Sequence, residues 1–284
     1  MKIERIIEKV ESNESYHEER NHISSSVLKK IYSTTVKHFL AQRFKPTASM
    51  NFGTAVHTAI LEPELFDKEI FVTKKVDRRS KEGKMLYQQQ IELSRGKTMI
   101  SEDDMLRIEE IKRVLYEKDE SGFYYNQYIL DYLEGKKEHS YYVYADGNNF
   151  KVRPDCFNFD KKFISDIKTT QSTNPYKFRS QCYQYHWHLQ AVVYSDYLGV
   201  PPENFRFIAI ESEIVEHSDG SRIPFADIQL FSLDEKMIES GRNAYKQAFA
   251  KWKYYLKHGR CSGYITENIN ENDLSIIMSG YGKN

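Results

Sequence analysis

The stretch RPDCFNFDKKFISDIKTT, Arg153–Thr170, places an aspartate at the head of one apolar run and an aspartate, a gap and a lysine inside the next. Ten residues separate Asp155 from Asp166, a spacing that suits adjacent strands joined by a short turn. Their carboxylates then meet at one end of the strand pair. Two carboxylates that close repel unless a cation lies between them, and oxygen ligands of this kind suit hard Mg²⁺ or Mn²⁺. Lys168 follows Asp166 by two positions, so strand alternation turns both side chains to the same face. The competing reading of a lone D-x-K is a surface turn with an ion pair. Against it, FISDIKTT is apolar around the charges, and burying charge is costly unless something binds it.

Outward from this stretch, HSYYVYA, NFKVRPDCFNF and KFISDIKTT read as three strands, with DGNN a hairpin turn. Before them the apolar period is that of helices. ISSSVLKKIYSTTVKHFLAQRF is a helix capped by one of Ser24 to Ser26, SMNFGTAVHTAILEPELF a second one carrying His57, and SEDDMLRIEEIKRVLYEKD a third with an acidic first turn. Tyr124 to Gly135 reads as another helix. After the strands come a long helix, PYKFRSQCYQYHWHLQAVVYSDYLG, the strands NFRFIAIES and FADIQLFSL, and a closing helix from Asp234 to about His258. The order predicts an α/β (α+β) chain with a mixed central sheet flanked by helices and a helical N-terminal part. One domain is expected over 24–260, with 1–23 a loose arm and 261–284 a polar tail.

The 284 residues are enough for one large domain, and 41 basic against 41 acidic residues argue against a generally basic nucleic-acid coat. A polyanion must then be held by local patches or by metal. Lys74, Lys75, Arg78, Arg79, Lys81 and Lys84 form one such patch, and Arg242, Lys246, Lys251, Lys253 and Lys257 on the closing helix a second. Cys156, Cys182 and Cys261 are odd in number and lack metal or redox spacing, which fits a reducing compartment. The charged N-terminus is not a signal peptide and no apolar run approaches the length of a membrane span, so a cytoplasmic protein with no membrane partner is expected. His186 and His188, two apart on a helix, do not share a face and argue against a second metal site.

Four pieces in order carry a resemblance: GTAVH (Gly53–His57), RPD (Arg153–Asp155), DIKT (Asp166–Thr169) and QAVVY (Gln190–Tyr194). They resemble the G-x-x-x-H, R-x-D, D-x-K-T and Q-x-x-x-Y motifs of PD-(D/E)XK nucleases of the RecB type, most closely the RecE (exodeoxyribonuclease VIII) C-terminal nucleases of prophages. The similarity spans roughly Ser24 to Trp252. It implies a restriction-endonuclease-like core, with His57, Asp155, Asp166 and the backbone carbonyl of Ile167 as metal ligands and Lys168 as the catalytic lysine. Gln190 and Tyr194 would line the DNA path and support the site, and Glu138 could add an acidic group behind the ligands. A divalent ion with a lysine beside it is what phosphodiester hydrolysis requires: charge neutralisation, an activated water and a partner that orients it.

The resemblance further implies a Mg²⁺-dependent exodeoxyribonuclease, with Mn²⁺ able to substitute, that degrades linear double-stranded DNA from its ends 5′ to 3′. Its products would be 3′ single-stranded overhangs for recombination by a RecT-type annealing protein, made by a homo-oligomeric ring in a bacterial cell of phage or prophage origin. Two alternatives remain: a DNA-binding recombination module of the same fold without the chemistry, and a RecB-like nuclease of other polarity. Three cysteines cannot supply the four that a Cas4-type iron–sulfur cluster takes, and no P-loop for an attached helicase is present.

Overall fold

The computed structural model describes residues 2–42, 45–261 and 263. The first half of the chain forms β1 (Ile3–Lys9), α1 (Asn13–Glu18), β2 (Ile23–Ser24), α2 (Ser25–Ser33), α3 (Val36–Ala41), α4 (Ala48–Leu61), α5 (Phe66–Glu69), β3 (Ile70–Thr73), α6 (Lys81–Ser94), β4 (Thr98–Ser101), α7 (Glu102–Leu115) and α8 (Gln127–Leu130). The second half forms β5 (Lys136–Lys137), β6 (Ser140–Ala145), β7 (Asn148–Val152), β8 (Cys156–Asn158), β9 (Phe163–Thr170), α9 (Pro175–Gln184), α10 (Trp187–Leu198), β10 (Phe205–Glu216), β11 (Arg222–Phe231) and α11 (Glu235–His258). Side-chain caps set the helix starts: Ser24 accepts from Val27 N–H at α2, Thr47 from Met50 N–H at α4, and Ser101 with Asp104 closes a capping box at α7.

The central sheet has the order β11-β10-β9-β8-β5. Its β9/β10 pair is parallel and the others are antiparallel. The parallel pair needs a crossover, which α9 and α10 supply. Alternation along β10 divides the core in two: Phe205, Phe207 and Ala209 join the apolar layer that includes α2, α10 and α11, while Ile208 and Ile210 join the layer of α4 and α7. The same period on β9 sends Ile164 to the α10 side and Ile167 to the α4 side. Asp166 and Lys168, in step with Ile164, therefore face α10 and α2.

Pro154 divides what reads as one strand. Proline lacks the N–H that a ladder needs and restricts the residue before it, so β7 ends at Val152 and the chain changes sheets. β7 pairs in a second sheet of order β1-β6-β7-β2, whereas β8 pairs with β9. Asp155 stands at that crossing, beside β9, where a continuous strand would have buried it in a ladder.

Several sequence expectations need correction. The proposed loose arm is ordered: β1 pairs antiparallel with β6 from Ile3↔Ala145 to Lys9↔Ser140, and α1 buries Tyr16. Its residues IERIIEK are exposed on both faces of an edge strand, so no buried stripe marks it. The first predicted helix splits at Thr34, after which Thr35 caps α3 through His38 N–H. The long helix splits at His186, whose left-handed φ of 55° redirects the chain into α10. Tyr124–Gly135 contains only the short α8 and a 3₁₀ turn. The parallel pair β3/β4 lies almost wholly in segments to which the sequence assigned no element. The expected tail, 261–284, falls outside the described residues except for Cys261 and Gly263. Among the described residues no helix is long and apolar enough to cross a membrane.

Gly241 lets α11 approach α10. A Cβ there would stand 2.5 Å from the His188 carbonyl oxygen and 3.1 Å from Val192 Cγ1. Gly241→Ala is expected to destabilise the fold by about 1–3 kcal/mol, read as a lower urea midpoint at unchanged slope, because backbone cannot yield as a flexible side chain does.

Candidate metal and catalytic site

Each charged group of the site arrives from a different element. His57 rides on α4, which meets β9 one turn earlier, at Gly53: a Cβ on Gly53 would make ordinary contact, 3.4 Å, with Thr169 Oγ1. From there the imidazole reaches β9, with Nε2 3.1 Å from the Ile167 carbonyl oxygen. Its Nδ1 lies 3.4 Å from Asp155 Oδ2 and 3.8 Å from Glu138 Oε1. The Ile167 N–H donates to the same Asp155 oxygen at 2.6 Å, so one peptide residue ties histidine and aspartate together.

Glu138 follows the short β5 in the left-handed region, φ 55°, a conformation uncommon for a non-glycine residue and frequent at functional sites. Its N–H donates to the Asp155 carbonyl at 3.2 Å, and its Oε2 accepts from Arg153 Nε at 2.7 Å. Arg153, the first residue of R-x-D, thus holds Glu138 in place while Asp155, the last, reaches His57. His57, Glu138 and Asp155 offer ligand atoms that all lie within 4.8 Å of one another, the group of this kind found among the described residues.

Beside this group on β9, Lys168 Nζ pairs with Asp166 Oδ2, and both charges act on Asp155. Asp166 Oδ1 accepts from Gln190 Nε2 at 2.6 Å. Asp166 is therefore held by Lys168 and Gln190 and does not belong to the tight group around His57. Exposure rises from 1% for the Asp166 side chain through 14% for Lys168 to 27% for His57, so the site opens on the histidine side.

These contacts shape the charge states. Burial works against protonated His57, yet Asp155 and Glu138 outweigh it and raise its pKa to about 9. Burial, then the neighbouring Asp166, push Asp155 up to about 7. Glu138 is held below the usual carboxylate range: its burial is overcome by His57 and Arg153. Lys168 is raised, Asp166 and Asp155 outweighing its burial. The protonated histidine is a cation lodged among carboxylates, where a metal ion could replace its proton.

The donor set fits a hard divalent ion. It combines carboxylate oxygens with one imidazole and contains no thiolate. With Nε2–H donating to the Ile167 carbonyl, Nδ1 is the nitrogen that turns a lone pair toward the carboxylates once His57 gives up its extra proton, the arrangement by which a backbone acceptor orients a metal-binding histidine. The Ile167 carbonyl, expected in the inner shell, has His57 as its hydrogen-bond partner here.

Tyr194 is buried at 6% exposure, and burial, with Asp166 next, raises its pKa; Ser25 and the Arg153 backbone are its hydrogen-bond neighbours. Gln190 and Tyr194 thus hold the site from behind. Lys74, Lys75, Arg78 and Arg79 lie on the exposed loop between β3 and α6, where Arg79 pairs with Asp77 and Arg78 stacks over Tyr87. Lys251 is corrected: it is buried, its ammonium 3.4 Å and 3.5 Å from the Ile31 and Thr34 carbonyls near the end of α2. His186 caps α10 in the left-handed region and His188 bonds the Cys182 carbonyl.

No curated protein matches this chain. Among solved structures, a candidate exonuclease from Eubacterium rectale superposes with a TM-score of 0.54 at 13% identity, over 89% of each chain. A phage-related exonuclease from Haemophilus somnus gives a TM-score of 0.31 at 12% identity, over 87% of this chain and 100% of that one. The first likeness supports the fold. Residues 24–270 match a family described as a PDDEXK-like domain of unknown function (DUF3799), which takes in α2 through α11 and every group of the site, and the chain belongs to that family.

Proposed function

We propose that the protein is a divalent-metal-dependent deoxyribonuclease. The observation that carries this reading is the convergence of His57, Glu138 and Asp155 beside an Asp166–Lys168 pair whose charges act on Asp155. An ion held by His57 and Asp155 with Asp166 and Glu138 beside it, Mg²⁺ or Mn²⁺ by donor type, would supply Lewis acidity to a phosphate and to water. Lys168 contributes a fixed ammonium to the negative charge that develops during cleavage. Gln190 keeps Asp166 turned toward that lysine. The exposed basic loop from Lys74 to Arg79 offers sequence-independent contact to a phosphate backbone.

The finer reading is an exonuclease that enters linear duplex DNA at an end and removes the 5′ strand, leaving 3′ overhangs for a RecT-type annealing protein, with a ring of subunits keeping hold of the duplex. Its support is the ordered set of RecE-like motifs together with a candidate exonuclease sharing the fold.

The test is digestion of linear duplex DNA labelled separately at the 5′ and 3′ ends, by wild type and Asp166→Ala, in Mg²⁺ or EDTA. Early release of the 5′ label, intact circular DNA and an inert variant are expected. Cleavage of circles would replace the exonuclease with an endonuclease. A folded, metal-loaded wild type that binds duplex without cutting would make it a DNA-binding module.

A further inference from the structure

Lys29 belongs to none of the motifs, yet it reaches the site. It lies in α2, whose Leu28 and Ile31 are fully buried, and it projects half-buried toward α10. Its Nζ donates to Gln190 Oε1 at 2.6 Å, and Gln190 Nε2 donates to Asp166 Oδ1 at 2.6 Å. Asp166 Oδ2 in turn pairs with Lys168. The four side chains form one line: the Lys29 amine, the Gln190 amide, the Asp166 carboxylate and the Lys168 ammonium.

The chemistry of the amide gives Lys29 its role. A primary amide can present either its oxygen or its NH₂ to Asp166, and only the NH₂ is attractive to a carboxylate. Burial and the nearby Lys168 lower the Lys29 pKa to about 7; in its protonated form Lys29 has donors and no acceptor, so it takes only the oxygen end as a partner. Lys29 thereby selects the Gln190 orientation in which the nitrogen faces Asp166. A charged donor on the oxygen also polarises the amide and strengthens the bond that its N–H makes.

We infer that Lys29 is a positioning residue that acts through Gln190 to hold the Asp166 carboxylate for metal and for Lys168. This rests on the nuclease reading for its effect on cleavage, whereas its effect on metal binding stands apart from it. Removing the ammonium frees the amide to turn, and a turned amide opposes its oxygen to the carboxylate. Support behind a ligand of this kind is worth roughly tenfold or more in metal affinity or activity.

The experiment is Mn²⁺ titration by calorimetry, with single-turnover cleavage of linear duplex, on wild type, Lys29→Met, Lys29→Arg, Gln190→Ala and the Lys29→Met/Gln190→Ala double variant. Lys29→Met is expected to weaken Mn²⁺ binding and lower the saturated cleavage rate by roughly tenfold each, with duplex affinity unchanged. Lys29→Arg should recover most of the loss. In the Gln190→Ala background, Lys29→Met should add less than about twofold, because an effect carried by the amide vanishes with it. Full additivity of the two changes, or weaker duplex binding at an unaltered saturated rate, would overturn the assignment and make Lys29 a direct phosphate contact. If Lys29→Met does not fold, Lys29→Gln takes its place in the same cycle. A wild type that fails to cut DNA defeats the nuclease reading, while the Mn²⁺ cycle still decides the role of Lys29.

Discussion

Replacing Lys168 by methionine is expected to lower the saturated rate of DNA cleavage by about 10²–10³-fold, with little change in duplex affinity. Methionine keeps an unbranched apolar stem and removes the charge. In the wild type the ammonium is paired with Asp166, whose side chain is 1% exposed. Without it, the carboxylate keeps Gln190 as its partner in the line and becomes a buried charge lacking its counter-ion. Losing one partner of a buried pair costs about 3–5 kcal/mol, so Lys168→Met should also melt at a lower temperature in EDTA. Mn²⁺ should return much of that loss by supplying the missing positive charge, without returning the rate. This divergence of stability and rate separates a catalytic lysine from a structural one. A variant that cuts within about fivefold of wild type once metal has restored its stability would leave Lys168 with an ion-pairing role alone. Lys168→Arg is not expected to rescue, since a planar guanidinium is no substitute for a compact ammonium in a closed site.

What could be read in the sequence follows from where the information resides. Asp155, Asp166 and Lys168 were legible because strand alternation and a short turn are local, and because charge inside FISDIKTT conflicts with burial. Glu138 as a full member of the cluster was not, since its place depends on a left-handed backbone and on Arg153, 15 residues further along and just past the end of β7. The arginine of R-x-D was itself a clue: a cation 8% exposed needs an acidic partner, although nothing in the spacing says which one. Lys29 carries no signal at all, because its bond to Gln190 joins residues 161 positions apart. The strand β1 was hidden by its solvated faces, and the break at His186 by the absence of glycine or proline at that turn. Pro154, in contrast, was in view, and its missing N–H is why Asp155 stands free of a ladder at the crossing of two sheets.

Metal binding is expected to tighten steeply between pH 6 and pH 9. With a pKa of about 9, His57 in the ion-free protein is almost entirely protonated at pH 7, and an imidazolium has no lone pair to give. Binding must displace that proton, so apparent affinity should rise about tenfold per pH unit well below pH 9, or about 50-fold from pH 7 to pH 9 where half the imidazole is already deprotonated, with close to one proton released per ion near pH 8. Asp155, with a pKa near 7, steepens the dependence below that point. Stability follows the same signs. The pKa of His57 is raised in the fold, so its contribution is complete below its unfolded value of 6.5 and is lost as pH climbs through 9. The raised carboxyl of Asp155 also favours the protonated fold, and that contribution fades between 3.8 and about 7. The lowered pKa of Glu138 works oppositely and is lost only as pH falls below 4.5. These groups therefore make the ion-free site less stable toward pH 9, where bound metal gains most, and the melting-temperature difference between Mn²⁺ and EDTA should widen with pH. Calorimetry in buffers of different ionisation enthalpy counts the protons directly. An affinity that stays flat from pH 7 to pH 9 would mean that His57 keeps its proton while the ion binds, and would leave the carboxylates alone as ligands.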